Sequence, residues 1–287
     1  MKRRSLLSLA ALPLLAPSAW AQAPLRRATA AGARVVTAAH PAATIHSYVS
    51  AADGFHVAAH VIEGPSGLVL VDGGLTPAAG GEIRALLDGL GKPLQAVLLS
   101  HFHPDHWAGL TAAGLPEVLA GPATAELMRA AGPSIAASLP FAPAVPRVGV
   151  QAPGALRLGG VEMAVSYVRD TEAPEIMVVE IPGASAVVVQ DIFYNGVHAY
   201  VSRRLEAWIA ALRGLESRGD VTFLVGHGEP ATAREIPRLV SYLEAVQPMV
   251  ATGPVDQRAV VAEMVRRFPD FASPELLALS LGRLPPG

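Results

Sequence analysis

Four side chains that can ligate a metal ion lie within one short stretch of the chain: His101, His103, Asp105 and His106. Residues 95–100 before them are apolar and mostly β-favouring, which predicts a buried strand, and the residues after them can begin a helix. Loops at the carboxyl ends of strands commonly carry the sites of α/β folds. Because the 287 residues contain only nine histidines, three within six positions favour a transition-metal site over a polar loop. Imidazole and carboxylate ligands suit Zn²⁺, and also Fe²⁺ or Mn²⁺.

The first 21 residues have the pattern of an export signal. Basic residues at positions 2–4 precede a short apolar run, and Ala19 to Ala21 fits a small-x-small cleavage site. The apolar run is too short to cross a membrane. The pair Arg3-Arg4 resembles a twin-arginine signal, with the Sec route as the alternative. We therefore expect cleavage after Ala21 and a periplasmic or secreted protein without stable membrane insertion.

The composition limits which binding partners and which metal-ligating side chains the chain can have. The chain has 22 basic and 24 acidic residues, and loss of the signal lowers its formal net charge from −2 to −5. This charge, with no basic patch that carries interleaved aromatic residues, argues against nucleic acid as a partner. We expect a small-molecule substrate, and the sequence does not indicate the oligomeric state. The absence of cysteine excludes disulfides and thiolate ligands, so a metal site here must use nitrogen and oxygen donors.

The rest of the chain is predicted to contain one large domain. Residues 22–43 are rich in alanine and predict a loosely ordered arm, and residues 44–287 predict a single domain. Strands at 45–49, 57–62 and 68–71 predict an antiparallel meander, followed by hairpins at 156–168 and 176–190. Helices are predicted near 82–90, 123–131, 203–218, 234–246 and 255–268. The proline-rich residues 132–154 predict an irregular segment, either a lid over the site or a plain connector.

The string His101-Phe102-His103-Pro104-Asp105-His106 after a strand resembles the His-x-His-x-Asp-His signature of the metallo-β-lactamase superfamily of metallohydrolases. The resemblance covers roughly residues 44–250. It implies an α/β fold of the four-layer αββα sandwich type, with two metal ions, expected to be Zn²⁺, at one edge of the sheets. Asp191 then takes the place of the bridging carboxylate and His227 that of the final histidine. Asp72 matches the aspartate that orients the metal loop, with a helix cap as the alternative.

The chain departs from the family pattern at the third ligand of the first metal ion, because residues 168–175 contain no histidine. Alignment of Thr171 with the family's threonine places Asp170 at the ligand position. The string Thr171-Glu172-Ala173-Pro174 instead resembles the alkyl-sulfatase branch, in which a glutamate replaces the third histidine. The spacing of 19 residues from Glu172 to Asp191 is the same as in that branch, which favours Glu172.

The residues after the bridging position are a second group of candidates. Three of them are expected to line the substrate pocket or merely to pack on the site: Tyr194, Asn195 and His198.

The resemblance implies a hydrolase in which a hydroxide held between two metal ions attacks an ester, lactone, sulfate ester or amide. Asp105 is then both a ligand and the catalytic proton acceptor. Hydrolysis of β-lactams falls within that range. One alternative is a mononuclear iron enzyme similar to the persulfide dioxygenases, which share the fold. Another is a metal-binding accessory protein with little turnover of its own.

Overall fold

The computed structural model describes residues 24–29, 32–202, 205–251 and 254–284. The predicted export signal lies outside these residues. Within them, two sheets of eight and five strands are accompanied by seven α-helices. In the described part of the chain, no helix has the length and apolar character needed to cross a membrane.

The first sheet has the strand order β1 to β8, which is also the order along the chain. Its first five strands pair antiparallel and include the predicted meander, and β5 to β8 pair in parallel. Three helices, α1 to α3, connect the parallel strands. The elements are β1 Leu25–Ala28, β2 Arg34–Ala39, β3 Thr44–Val49, β4 Ala58–Glu63, β5 Leu68–Val71, α1 Pro77–Leu90, β6 Leu94–Leu99, α2 Leu110–Ala113, β7 Glu117–Ala120, α3 Pro122–Ser138 and β8 Arg147–Val150.

The second sheet has the order β13-β12-β11-β10-β9 and contains one parallel pair, β12 with β13. Helix α4 connects these two strands, and three further helices follow β13. The elements are β9 Gly154–Leu158, β10 Val161–Arg169, β11 Glu175–Ile181, β12 Ala186–Tyr194, α4 Leu205–Glu216, β13 Thr222–His227, α5 Ile236–Val250, α6 Gln257–Arg267 and α7 Pro274–Leu281.

Three apolar clusters define the layers. The central one joins the inner faces of the two sheets and includes Ile62, Leu98, Met177 and Val188. A second cluster packs α1, α2 and α3 against the outer face of the first sheet. The third packs α4 to α7 against the outer face of the second sheet. The central strands of each sheet are therefore buried on both faces, and the predicted four-layer αββα sandwich is confirmed.

The N-terminal arm differs from its prediction. The residues predicted to be a loose arm, 22–43, contain β1 and β2 in their described part. β2 pairs along its whole length with β3, and Val36 and Ala38 are buried. The alanine content hid β2, which is held in place by backbone hydrogen bonds to β1 and β3 rather than by bulky side chains.

The proline-rich segment is also more regular than predicted. Helix α3 continues through Pro133 to Ser138, because Ala136 is buried and Ile135 packs against the same cluster. Residues 147–150 form β8. The stretch between α3 and β8 is irregular, as are residues 151–153, and the former reaches the candidate site described below.

Candidate metal centre

The candidate ligands meet where the two sheets present the ends of their strands. The metal-loop histidines follow β6 of the first sheet, and Pro104 begins a single 3-10 turn that ends at His106. Asp191 lies within β12, His227 ends β13, and Glu172 lies on the loop between β10 and β11. One sheet therefore provides the loop and the other provides three more ligands.

The candidate ligand atoms form two groups, within each of which all atoms lie within 4.8 Å of one another. The first group places His103 Nδ1 2.9 Å from Glu172 Oε1, and His101 Nε2 3.5 Å from Glu172 Oε2. The two groups consist of His101, His103 and Glu172, and of Asp105, His106, Asp191 and His227.

Asp191 lies between the two groups. Its Oδ1 is 3.2 Å from His106 Nε2, and its Oδ2 is 3.4 Å from His227 Nε2. The same Oδ2 is 3.8 Å from His101 Nε2 of the first group. A carboxylate in this position can give one oxygen to each of two cations. This is the bridging position that the resemblance assigned to Asp191.

Several buried ligand atoms have no hydrogen bond within the protein. They are Nε2 of His106, Nε2 of His227, both carboxylate oxygens of Glu172 and Oδ1 of Asp191. Buried polar atoms without partners are rare because each costs on the order of 1–3 kcal/mol. These atoms all border one small space, and nitrogen and oxygen donors of this kind are those of Zn²⁺, Fe²⁺ and Mn²⁺. The residues therefore fit a pair of divalent metal ions.

Asp72 fixes the tautomers of two of these histidines. Its Oδ2 accepts hydrogen bonds from His106 Nδ1 at 2.7 Å and from the Ser100 hydroxyl at 2.7 Å, and its Oδ1 accepts from the Ser100 amide at 2.8 Å. Because the Ser100 hydroxyl donates to Asp72, it accepts from His101 Nδ1, 2.9 Å away. Both imidazoles therefore carry a proton on Nδ1, which leaves Nε2 as the nitrogen that can ligate a metal ion. These are the hydrogen bonds that the orienting role predicted for Asp72 requires.

Backbone features fix His227 in the same way. Its Nδ1 donates to the Phe55 carbonyl at 2.8 Å, which leaves Nε2 as the nitrogen that can ligate a metal ion. Gly226 precedes it at a point where a Cβ atom would lie 1.8 Å from Asp191 Oδ1. Only glycine fits there, and it lets this part of the backbone approach Asp191 closely.

Burial and neighbouring charges shift the pKa values of the clustered side chains in opposite directions. Burial alone would lower the pKa of His106, but Asp191, Asp105 and Asp72 together raise it well above its usual value. For His227, Asp191 and Asp105 likewise outweigh burial and raise the pKa to about 9. Burial raises the pKa of Glu172, although His103 opposes the shift. Metal ions must therefore displace protons from this cluster, and their binding is coupled to pH.

The two assignments for the third ligand are separated in the structure. Glu172 is buried and lies beside His101 and His103, whereas Asp170 is exposed at the turn after β10, with φ +57°. The Asp170 amide donates to the Pro174 carbonyl at 3.2 Å, which closes that turn. The alternative assignment to Asp170 is therefore not supported by the geometry.

Three residues are expected either to line the substrate pocket or merely to pack on the site, and of these only Tyr194 lines the cavity above the cluster. Asn195 instead donates to the Glu229 carbonyl at 2.9 Å. His198 is buried beneath the helical layer, with Nδ1 3.2 Å from the Tyr242 hydroxyl. The chain turns at Gly196, whose φ is +67°, and His198 beyond it packs against Tyr242 of α5.

A cavity of about 470 Å³ opens above the cluster. Its floor includes His103, Asp105, Glu172 and Asp191. The walls are mostly apolar and come from four parts of the chain: Phe55 and Leu75 from the first sheet's loops, Leu139 and Phe141 from the segment after α3, and Leu276 and Leu279 from α7. The proline-rich segment therefore forms part of the cavity wall, in keeping with the first of the two interpretations of its sequence. The contribution of α7 was not anticipated.

Comparison with known proteins shows to which family the chain belongs. The sequence profile of the Metallo-beta-lactamase superfamily matches residues 52–227. The chain belongs to the metallo-β-lactamase superfamily. No curated protein matches the chain in a sequence search.

Solved metallo-β-lactamase-fold structures are similar to this chain at low sequence identity. A metallo-β-lactamase family protein from Thermus thermophilus has a TM-score of 0.57 and 20% identity, over 77% of this chain and 86% of that one. A metallo-β-lactamase from Pontibacter korlensis has a TM-score of 0.54 and 17% identity, over 77% and 99%. One from Erythrobacter litoralis has a TM-score of 0.54 and 18% identity, over 77% and 99%. At such identities the likeness shows the metallo-β-lactamase fold, and with the two ligand groups it supports a metal-dependent hydrolase in general.

Proposed function

We propose that this chain is an exported hydrolase that uses two divalent metal ions, expected to be zinc, to cleave a small substrate with an apolar portion. The bond is an ester, lactone, sulfate ester or amide. The observation that carries the proposal is the convergence of unpartnered buried nitrogen and oxygen atoms on the floor of an apolar cavity. Such a combination of reactive floor and apolar wall is the usual form of a small-molecule active site.

The donor set fits the chemistry. His101, His103 and Glu172 would hold one ion, Asp105, His106 and His227 the other, and Asp191 both. When bound, the ions would polarise the substrate and lower the pKa of water to about 7. Three carboxylates in the set leave a smaller net positive charge than a set with a third histidine in place of Glu172. We therefore expect weaker Lewis acidity than in a centre of that kind.

The chain's own residues prepare the reaction. Asp105 faces the cavity and is only partly buried, so it is placed to accept a proton from the attacking water. Tyr194 has a hydroxyl at the cavity that donates to Asp191. The apolar walls bind the non-reacting part of the substrate and exclude bulk water.

The test is metal analysis combined with a substrate panel. We expect about two zinc ions per chain and hydrolysis of at least one of four matched substrates: an ester, a lactone, a sulfate ester and a β-lactam. Chelation should abolish turnover and added Zn²⁺ should restore it. Asp191→Asn is the matched control, because it keeps the shape of the side chain and removes the bridging charge. Full metal loading without turnover on any substrate would favour the accessory protein.

A mononuclear iron enzyme is the second candidate, and one observation favours it. His101, His103 and Glu172 form a set of two histidines and one carboxylate, which is the ligand set of many non-haem iron oxygenases. One iron per chain with no hydrolysis would contradict the hydrolase and favour this candidate. The second ligand group would then lack a function, which is why we prefer two ions.

Export is tested separately from catalysis. We expect the mature protein in the periplasmic or secreted fraction to begin at Gln22. Replacement of Arg3 and Arg4 by lysine should block export if the twin-arginine route is used, and should leave it intact if the Sec route is used. Retention of residues 1–21 in the mature protein would contradict the proposed signal.

A further inference from the structure

Asp72 receives a further hydrogen bond from outside the metal loop. The side-chain amide of Gln190 donates to Asp72 Oδ2, the same oxygen that accepts from His106. Gln190 immediately precedes Asp191, the carboxylate that lies between the two ligand groups. A single amide thus connects the residue that orients the histidines of one sheet to the strand that carries the bridging carboxylate of the other.

The far end of this amide is held by His60 on β4. Gln190 Oε1 lies 3.1 Å from His60 Nε2, and the Val225 carbonyl lies 3.0 Å from the same nitrogen. Both of these partners can only accept, so His60 carries its proton on Nε2. Its Nδ1 then accepts from the Ser47 hydroxyl at 2.8 Å. Burial lowers the pKa of His60 to about 4, so the ring is neutral at neutral pH.

The backbone conformation at Gln190 would suit glycine better than glutamine. Its φ is +42°, in the left-handed region that favours glycine, and Asp72, its hydrogen-bond partner, has φ +63°. A residue with a Cβ atom is strained in this region. The pairing of β12 with β13 also shifts register on both sides of Gln190. Glycine would relieve the strain but would remove the amide that connects His60 to Asp72.

We propose that Gln190 and His60 are positioning residues for the metal centre. The amide is a spacer held at both ends, by the His60 N–H at one and by the Asp72 carboxylate at the other. It sets the distance between Asp72, which orients His101 and His106, and the strand that carries Asp191. Loss of the hydrogen bond at either end leaves a buried polar atom of Gln190 or of its partners less well bonded. The side chain of Gln190 then no longer holds Asp72 and the strand at a fixed distance.

The loss of this positioning should weaken metal binding. Loss of the hydrogen-bonded partners behind metal ligands typically costs 10- to 100-fold in metal affinity. We expect a loss of that size, about 10- to 100-fold, in Gln190→Gly and in His60→Leu. The inference rests on metal binding at this cluster, which the proposed function includes, and not on the bond that is cleaved.

The experiment measures Zn²⁺ affinity by competition with a chromophoric chelator, and the visible absorption spectrum of the Co²⁺-loaded protein. Gln190→Gly is the decisive variant, because glycine suits the local backbone. Relief of the backbone strain offsets part of the cost of the lost side chain, so the metal-free variant should stay folded, with a melting temperature close to that of the wild type. Its zinc affinity should fall and its cobalt spectrum should change. His60→Gln keeps an N–H donor for Gln190 Oε1, so its affinity should lie closer to the wild type than that of His60→Leu.

His198→Leu is the matched control. His198 is equally buried, but its side-chain hydrogen bond, through Nδ1, goes to Tyr242 and not to a residue that contacts Asp72. We expect it to lower the melting temperature without changing zinc affinity. Wild-type affinity and spectrum in both Gln190→Gly and His60→Leu would overturn the inference, as would an equal loss in His198→Leu. Failure of the wild type to bind metal would overturn the proposed function together with it.

Discussion

The hydroxyl oxygen of Tyr194 lies 2.5 Å from Oδ2 of Asp191. The same side chain stacks on His227, with ring centroids 4.5 Å apart and an angle of 6° between the planes. One tyrosine therefore contacts two ligands of the same group through two different parts of its side chain. Burial and the charge of Asp191 raise the pKa of Tyr194 well above its usual value, so the hydroxyl stays protonated and donates.

Tyr194→Phe separates these two contacts. It keeps the ring on His227 and removes the hydrogen bond to Asp191, so we expect a loss of metal affinity of about tenfold, at the low end of the range for such partners. Tyr200→Phe is the control, because the Tyr200 ring lies 5.1 Å from His103 but its hydroxyl is bonded to Arg283. Chelator competition measures both. Equal affinity in Tyr194→Phe and the wild type would show that the hydroxyl does not position Asp191.

Glu172→Gln should remove one metal ion per chain, since it neutralises the carboxylate of the first group without changing its size. Asp170→Asn changes the neighbouring candidate in the same way and should leave the metal content unchanged, because Asp170 is exposed outside the cluster. Elemental analysis of the purified variants compares them directly. Loss of metal in Asp170→Asn alone would reverse the assignment of the third ligand.

Gly226→Ala should disrupt the centre, because the new Cβ atom would lie 1.8 Å from Asp191 Oδ1. We expect lost metal and a decrease of about 1–3 kcal/mol in the free energy of unfolding of the metal-free protein. Gly214→Ala in α4 is the control, since nothing lies within 4 Å of its Cβ position. That change should be neutral or stabilising, as alanine favours helix. Denaturant unfolding and metal content are the measurements, and full metal content in Gly226→Ala would contradict the packing argument.

The pKa of His60 predicts an acid-sensitive metal-free protein. Burial lowers this pKa to about 4, although the Val225 carbonyl and Asp72 oppose the shift. An unfolded histidine titrates near 6.5, so between pH 6.5 and 4 the unfolded chain binds a proton that the folded chain does not. The free energy of unfolding should therefore fall as the pH decreases through this window, by up to about 3 kcal/mol from this group.

Urea unfolding of metal-free wild type and His60→Gln at several pH values between 6.5 and 4 tests this contribution. Glutamine does not titrate, so the variant should lose less stability over the same range, while the other groups contribute equally to both proteins. Parallel pH profiles would mean that His60 is not responsible.

The position of Arg283 in the cavity lining leads us to expect a preference for anionic substrates. Among the described residues that line the cavity, it is the one arginine or lysine. Arg283→Ala should raise KM about tenfold for an ester that carries a carboxylate, which corresponds to one hydrogen bond to a charged group. KM for a neutral ester of the same length should not change, and Arg283→Lys should be intermediate. An equal rise for both esters would indicate a general change in the cavity.

The metal loop was predictable because its four ligands are local in sequence and their spacing is specific. Glu172 was identified from its spacing to Asp191, although no histidine marks the position. The connection from His60 through Gln190 to Asp72 had no such signal, because His60 and Gln190 are 130 positions apart in the sequence. Such a contact depends on the packing of the two sheets, which local patterns do not encode.

The larger elements followed their patterns where side chains alternate, as in the meander. The prediction failed at β2, where small alanines give no contrast between buried and exposed positions. It also failed at α7, whose residues 274–281 are mostly apolar and show no clear helical face. This helix places Leu276 and Leu279 in the cavity wall, so the unpredicted part of the fold is also the part that shapes the site.

The origin of the ligands in two different sheets has a consequence for folding. A metal ion that arrives while the sheets are apart meets only the loop after β6, or only the three residues of the second sheet, and neither group is complete. Both binding groups exist only once the sandwich has closed. Bound metal would then act as a cross-link between segments that are distant in the chain, and it would slow the separation of the two sheets.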